Sequence, residues 1–169
     1  MKEIKYPRSF SHIGITVPDI EKAVKFYSDV MGWYILMEPS SVKKEKETAI
    51  GQMCIDVFGE DWTEFEIAHL STSDGIGIEL FSFPHGIKKA QEFNPFNTGL
   101  FHFCIQDPNI EELIAKIVAA GGKQRMPIRA YYPNEKPYKM CYVEDPFGIV
   151  FEIYTHSYEL TYSSGAYQG

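Results

Sequence analysis

The chain repeats itself, and that repeat limits its folds more than any other feature. At an offset of 90 residues, the distance from His12 to His102, Ser11–Trp33 lies on Phe101–Lys123 without a gap. Pro18 meets Pro108, Ile20 meets Ile110, Glu21 meets Glu111 and Gly32 meets Gly122. At an offset of 73 residues, the distance from Glu79 to Glu152, Glu66–Phe83 lies on Lys139–His156, again without a gap. A pattern written twice dictates the same elements twice. The two offsets, 90 and 73, differ by 17 residues, so the first copy carries about that much extra chain. The expected place is Met37–Gly51, where SSVKKEKET reads as an exposed charged loop.

Each copy reads as a strand, a helix and then three strands. Ile13, Ile15 and Val17 alternate with His12, Gly14 and Thr16, the period of a half-buried strand. Phe101, Phe103 and Ile105 alternate with His102, Cys104 and Gln106 in the same way. Asp19 and Asn109 stand at N-cap positions. After them Ile20, Ala23, Val24 and Tyr27 form one helical stripe, and Ile110, Leu113, Ile114, Ile117 and Val118 the other. Gly32 stops the first helix; Gly121 and Gly122 stop the second. Asp145-Pro146-Phe147-Gly148 is a turn between two strands.

Alternation also sets which way side chains point. Each helix covers the bulky apolar face of its strands, so His12 and His102 point to the opposite, concave face. Glu79 alternates with Ile78 and Leu80, and Glu152 with Phe151 and Ile153, so both carboxylates face the same way. A carboxylate turned into the helix layer would be buried unpaired at high cost. Two imidazoles and two carboxylates on one inner surface call for water or a cation. Such a mixed nitrogen and oxygen set, completed by two waters, suits Ni, Co, Mn, Fe or Zn. The other reading is a metal-free cup in which His and Glu pair and grip a ligand. His69, His85 and His156 lack a histidine partner in the repeat and are expected to be ordinary. Tyr142 overlays His69 and is a candidate lining residue.

The 169 residues are 44% hydrophobic and 15% aromatic, enough for one globular domain with a substantial core. A net charge of -7 and a pI near 5.2 argue against nucleic acid or an anionic membrane as partner. A small-molecule substrate is the expectation. The start, MKEIKYPRSFSHIG, holds no apolar signal region, and no run approaches the ~18 apolar residues of a membrane span. Cys54, Cys104 and Cys141 form no CxxC and read as buried free thiols in a reducing cytoplasm. Lys123–Tyr138 holds Arg125, Arg129 and Lys136 among tyrosines. It reads either as a site for a phosphate or carboxylate, or as solvated loop charge. No P-loop, GxGxxG or GxSxG appears.

SHIGITVPDIEKAVKFYSDVMGW, IGIELF, FHFCIQDPNIEELIAKIVAAGG and YVEDPFGIVFEIYTH together resemble the vicinal oxygen chelate superfamily, the glyoxalase/bleomycin resistance/dioxygenase group. The resemblance runs from about Phe10 to Tyr154 and is most like glyoxalase I. It implies an α+β fold of two βαβββ modules forming a cupped mixed sheet. Module 1 would span about 8–84, a linker 85–98, module 2 about 99–156, and a tail 157–169. It also implies a homodimer, with the site inside one chain or between swapped chains. Carried over by position, the metal ligands are His12, Glu79, His102 and Glu152, with Glu152 or Glu79 also moving the proton.

The implied activity is that of a divalent-metal-dependent lyase or isomerase passing through an enediolate. The alternatives are a methylmalonyl-CoA-epimerase-like enzyme, an extradiol-type dioxygenase and a metal-free antibiotic-binding protein. Substrate contacts would come from Arg125, Arg129 and Tyr142. Two departures bear on the substrate. Thr16 stands where bacterial glyoxalase I carries a glutathione-holding Arg, and Phe83 where it carries an Asn.

Overall fold

A computed structural model describes residues 8–86, 89 and 92–163. Residues 87, 88, 90 and 91 of the expected linker, and 164–169 of the expected tail, lie outside the described residues. The chain divides into two units, Met1–Lys88 and Lys89–Gly169.

The first unit contains β1 (His12–Thr16), α1 (Ile20–Asp29), β2 (Tyr34–Lys43), α2 (Ala49–Phe58), β3 (Glu64–Ser71) and β4 (Gly77–Ser82). The second contains β5 (Phe103–Gln106), α3 (Ile110–Ala119), β6 (Lys123–Gln124), β7 (Arg129–Ala130), β8 (Lys139–Glu144), β9 (Val150–Tyr154) and α4 (Tyr158–Ser163). The sheets have the same strand order, β1-β4-β3-β2 and β5-β9-β8-β6, with β7 also pairing β8. In each, the first strand runs parallel to the last and the other pairs are antiparallel. The duplicated sequence is therefore a duplicated βαβββ topology of α+β class, with mixed sheets.

Each helix forms because its apolar residues share one stripe, and the stripe lies on its own sheet. Ile20, Ala23, Val24 and Tyr27 of α1 are buried, and α1 packs on β2, β3 and β4. They meet Ala68, Leu70, Ile78 and Leu80, all buried on one sheet face. In the second unit Ile110, Leu113, Ile114 and Ile117 of α3 are buried, as are Cys141, Val143, Phe151 and Ile153. Phe103 stacks on Phe151 with ring centroids 5.3 Å apart. Each large aliphatic or aromatic side chain buried this way stabilises its unit by roughly 1.5–3 kcal/mol. Val118, expected in the α3 stripe, is 47% exposed because it sits at the edge of the helix's buried arc.

The turns differ in detail between copies. Asp19 caps α1 by accepting from the Lys22 N–H at 3.1 Å. Asn109 occupies the matching place but makes no side-chain cap bond. Its own N–H instead donates to Asp107 Oδ1 at 2.7 Å. Buried Asp145 clamps the β8–β9 turn through Oδ1, which accepts from the N–H groups of Phe147 and Ile149, each at 2.8 Å. Thr72, its repeat equivalent, does the same between β3 and β4, its Oγ1 accepting from Ile76 N–H at 3.0 Å.

The extra length of the first copy is not the expected charged loop. Ser40, Ser41, Val42 and Lys43 belong to β2, paired with β3. The added element is the helix α2, which starts at a Thr48 cap whose Oγ1 accepts from Gly51 N–H. Its Cys54 joins Trp62 and Phe65 in a separate buried cluster. The apolar run AIGQMCIDVF, downstream of the charged residues, was the signal for that helix.

Gly32 and Gly122 coincide in the repeat but are glycine for different reasons. Gly32 has φ +69°, a left-handed conformation, with open space around it. A Cβ on Gly122 would come within 2.5 Å of the Glu144 carbonyl oxygen and 2.6 Å of Ile117 Cγ2. Gly122→Ala is therefore expected to destabilise the protein by about 1–3 kcal/mol. Gly32→Asn, which tolerates positive φ, is expected to cost under about 1 kcal/mol. Thermal denaturation of the two variants checks the difference.

Candidate metal centre

In the first unit the parallel pairing of β1 with β4 sets Gly14 opposite Glu79 and His12 opposite Gly77. The His12 and Glu79 side chains meet on the exposed face, Nε2 to Oε2 at 3.7 Å. Ser11 Oγ lies 3.2 Å from His12 Nδ1. An Nδ1–H donated to that hydroxyl leaves the Nε2 lone pair on the Glu79 side. The antiparallel β3 sets His69 opposite Glu79, with His69 Nδ1 3.8 Å from the other carboxylate oxygen. Glu79 thus stands between two imidazoles, its side chain 28% exposed.

The second unit repeats the arrangement with different neighbours. His102, just before β5, places Nε2 3.6 Å from Glu152 Oε2. Its Nδ1 is buried with no hydrogen-bond partner among the described residues. Burial holds its pKa below the ordinary histidine value, which keeps the imidazole neutral. Tyr142, paired with Glu152 across β8 and β9, turns its ring edge onto His102 with centroids 5.1 Å apart. Burial pushes the Tyr142 phenol up to about 12, with the Glu152 charge adding to it.

Glu152 itself is only 8% exposed in its side chain. Burial pushes its carboxyl up to about 7, with the neighbouring Cys104 and Tyr154 groups acting the other way. Cys104 lies opposite Glu152 in the parallel pair. Burial of its sulfur and the neighbouring carboxylate raise the thiol to about 12, so it stays protonated.

A separation of 3.6–3.7 Å is too long for a hydrogen bond. It is near the ~3–3.5 Å between two donors that share one cation at about 2.1 Å each. Neutral imidazole and carboxylate are the ligating forms. Among the described residues the Nδ1 of His102, the ring nitrogen away from Glu152, has no acceptor of the kind that usually orients a ligating imidazole. Among the described residues, no group of three or more His, Cys, Asp or Glu side chains is arranged to hold a metal. Each unit offers a pair whose chemistry fits half a donor set.

The expected substrate residues divide. Tyr142 lies beside His102 and opposite Glu152. Arg125 is committed elsewhere: Nη1 lies 2.7 Å from Glu144 Oε2, and its guanidinium sits 4.5 Å over the Phe93 ring. Lys123 Nζ holds the other oxygen of Glu144 at 2.8 Å. Arg129 is exposed on β7, opposite Met140. Phe83 packs in an aromatic group with Phe58, Phe65 and Phe81, and Thr16 is exposed.

Three side chains near the carboxylates were not expected there. His69, unmatched by a histidine in the repeat, stands at the same hairpin spacing from Glu79 as Tyr142 does from Glu152, and that spacing is its signal in the sequence. Cys104 was expected buried; Cys54 and Cys141 are, but Cys104 is an exposed residue on the strand face that carries His102. Tyr154 brings in Tyr162 from the tail, with the two hydroxyls 3.0 Å apart. His85 is exposed, and His156 packs on Tyr138 and bonds Thr155. A separate cleft in the first unit, lined by Asp19, Glu21, Glu64 and Glu66, lies toward the end of β3 and β4 away from Glu79.

The fold has many solved counterparts. A glyoxalase family protein from Bacillus cereus matches with a TM-score of 0.67 at 21% identity, over 91% of this chain and 97% of that one. Glyoxalase I from Zea mays matches at 0.60 and 20% identity, over 88% of this chain and 44% of that one. The fosfomycin resistance protein FosX from Listeria monocytogenes matches at 0.55 and 15% identity, over 90% and 94%. At these identities the likeness is one of fold. No curated protein matches the chain in sequence. Among the described residues no helix is long and apolar enough to cross a membrane. Residues 9–153 match the family described as the Glyoxalase/Bleomycin resistance protein/Dioxygenase superfamily, and the chain belongs to it.

Proposed function

We propose that the chain is a divalent-metal-dependent lyase or isomerase of the glyoxalase type, acting on a small substrate with two neighbouring oxygens. Its donors are His12, Glu79, His102 and Glu152. The observation that carries this reading is the duplicated His–Glu pair, at 3.7 Å in one unit and 3.6 Å in the other, on repeat-equivalent strands. Each pair alone is too small a donor set, and two such pairs make a complete one. Ni, Co, Zn, Mn and Fe all suit it. The donors come from one chain or from two in a homodimer, working in the reducing cytoplasm, where Cys54, Cys104 and Cys141 stay free.

A bound cation of this kind supplies Lewis-acid polarisation of the substrate oxygens. The protein's own residues handle the proton. Glu152 is the base in this reading: it is the more enclosed of the two carboxylates, its side chain 8% exposed against 28% for Glu79, and it lies beside His102 and opposite Tyr142. Glu79, more exposed and flanked by His12 and His69, serves as the second carboxylate ligand. Tyr142 lines the substrate side of His102. Phe83 offers no hydrogen bond where glutathione would need one, and the substrate head group is held by other means.

Metal analysis combined with a deuterium-exchange screen on hemithioacetals and acyl-CoA thioesters tests the reading. Exchange that stops on chelation and returns with Ni or Co is the expected result. Exchange confined to acyl-CoAs would make it an epimerase, and O₂ consumption a dioxygenase. Ligand binding indifferent to chelation would sink the enzyme reading altogether. Glu152→Gln should lower exchange by about 10²–10⁴-fold. Full activity in that variant would remove Glu152 from the proton step.

A pH dependence follows with a definite sign. The folded Glu152 pKa lies above its ordinary value of 4.5, so the metal-free protein binds an extra proton when folded. Its stability contribution is full below about 4.5 and is lost as pH rises through about 7. Metal favours the ionised carboxylate, so metal affinity should fall up to about tenfold per pH unit below 7. Melting curves of the metal-free protein and calorimetric metal titrations between pH 5 and 8 check both slopes, with Glu152→Gln flattening the first.

A further inference from the structure

The residue before each histidine differs between the copies, and the difference bears on how the imidazole is held. Ser11 and Phe101 coincide at the 90-residue offset of the repeat. Ser11 Oγ lies 3.2 Å from His12 Nδ1. The Phe101 side chain has no hydrogen-bonding group, and the buried Nδ1 of His102 has no other partner among the described residues. Packing is left to do what a hydrogen bond usually does for a ligating imidazole. The torsion that turns a histidine ring has broad, roughly twofold wells. Half a turn would put the carbon Cε1 where Nε2 now faces Glu152.

Two rings hold His102. The Phe101 ring lies 4.4 Å from it, centroid to centroid, at 64°, and the Tyr142 ring 5.1 Å from it at 70°. Steep ring contacts of this kind are directional. Phe101 is itself 40% exposed, so its own side chain has to be backed. Phe93 backs it, with centroids 5.8 Å apart at 61°. The Arg125 guanidinium sits 4.5 Å over the Phe93 ring and is fixed by Glu144 at 2.7 Å. The Arg125 N–H donates to the Tyr142 carbonyl at 3.0 Å, so both arms of the grip start from one rung of the sheet.

We infer that Phe101 is a positioning residue for His102, and that Arg125, acting through Phe93, keeps Phe101 against the imidazole. The inference deepens the metal-dependent reading and rests on it for its consequence, since an imidazole ligates only with a ring nitrogen turned to the cation. It also gives Arg125 a role that does not require it to touch a substrate.

The full-length protein, labelled with ¹³C and ¹⁵N and free of metal, provides the first readout. Nuclear Overhauser contacts from the His102 ring protons, identified by their loss in His102→Gln, should reach the rings of Phe101 and Tyr142. The contacts to Phe101 should weaken in Arg125→Gln and in Phe93→Leu, both of which leave Phe101, His102 and Tyr142 unchanged. They should be kept in Phe93→Tyr, which retains the ring. Lys123 still holds Glu144 in Arg125→Gln, so that variant should melt near the wild-type temperature. The second readout is Co²⁺ affinity, expected to weaken on the order of tenfold in Arg125→Gln and Phe93→Leu and to be kept in Phe93→Tyr.

Contacts from His102 to Phe101 that persist unchanged in Arg125→Gln and Phe93→Leu overturn the inference. So does weakening seen only in Phe93→Leu and only with a large loss of thermal stability, which would make the rings a piece of core. Weakened contacts with Co²⁺ affinity unchanged overturn it as well, because the orientation would then serve no ligand. If wild-type protein takes up no Co²⁺, the metal reading falls. The metal-free contacts still decide whether Arg125 and Phe93 hold Phe101 on His102.

Discussion

The parallel pairing of the first and last strands of each module is the contact on which everything else hangs. β1 joins β4 and β5 joins β9, elements far apart in the chain. That pairing sets Gly14 beside Glu79 and Cys104 beside Glu152. A histidine two residues before the glycine or the cysteine then reaches the carboxylate across the ladder. Shift either register by one residue and the glutamate turns into the helix layer, where nothing would compensate its charge. The buried stripe of α1 or α3 holds the register by covering the apolar face of the same strands.

The two copies have kept this frame and diverged around it. Glu79 is open to solvent and set between imidazoles, whereas Glu152 is closed in by a thiol and phenols. Two like carboxylates in unlike surroundings hold their protons differently. The same divergence shows in the scaffold. Thr72 and Asp145 clamp equivalent turns with different oxygens, and Gly32 and Gly122 answer different steric demands.

Most of the frame was legible in the residues. The gapless offsets carried α1 onto α3 residue for residue and placed β3 and β4 onto β8 and β9. Strand alternation put His12, Glu79, His102 and Glu152 on the sheet faces opposite the helices, because a period of two leaves no other choice. What escaped depended on contacts between elements. α2 was hidden behind a run of charges, although its apolar residues followed directly. His69 lay across a hairpin whose register only the pairing reveals. Arg125 looked available for a substrate until Glu144 and Phe93 claimed it. Tyr162 sits in the expected tail, and only the pairing of its hydroxyl with that of Tyr154 shows where that part of the tail docks.

The clamped turns have a consequence for how each unit is assembled. β3–β4 and β8–β9 are hairpins closed by a local side-chain bond, so their pairing needs little loop entropy and can form on the microsecond scale of isolated hairpins. The parallel strands close much longer loops, and their contacts are rewarded only late. The loop-closure cost therefore falls most heavily on the contacts that bring His12 and His102 to their glutamates. A ligand that bridged those side chains would act on the slowest contact in the chain, and would be felt first in the rate at which the units open.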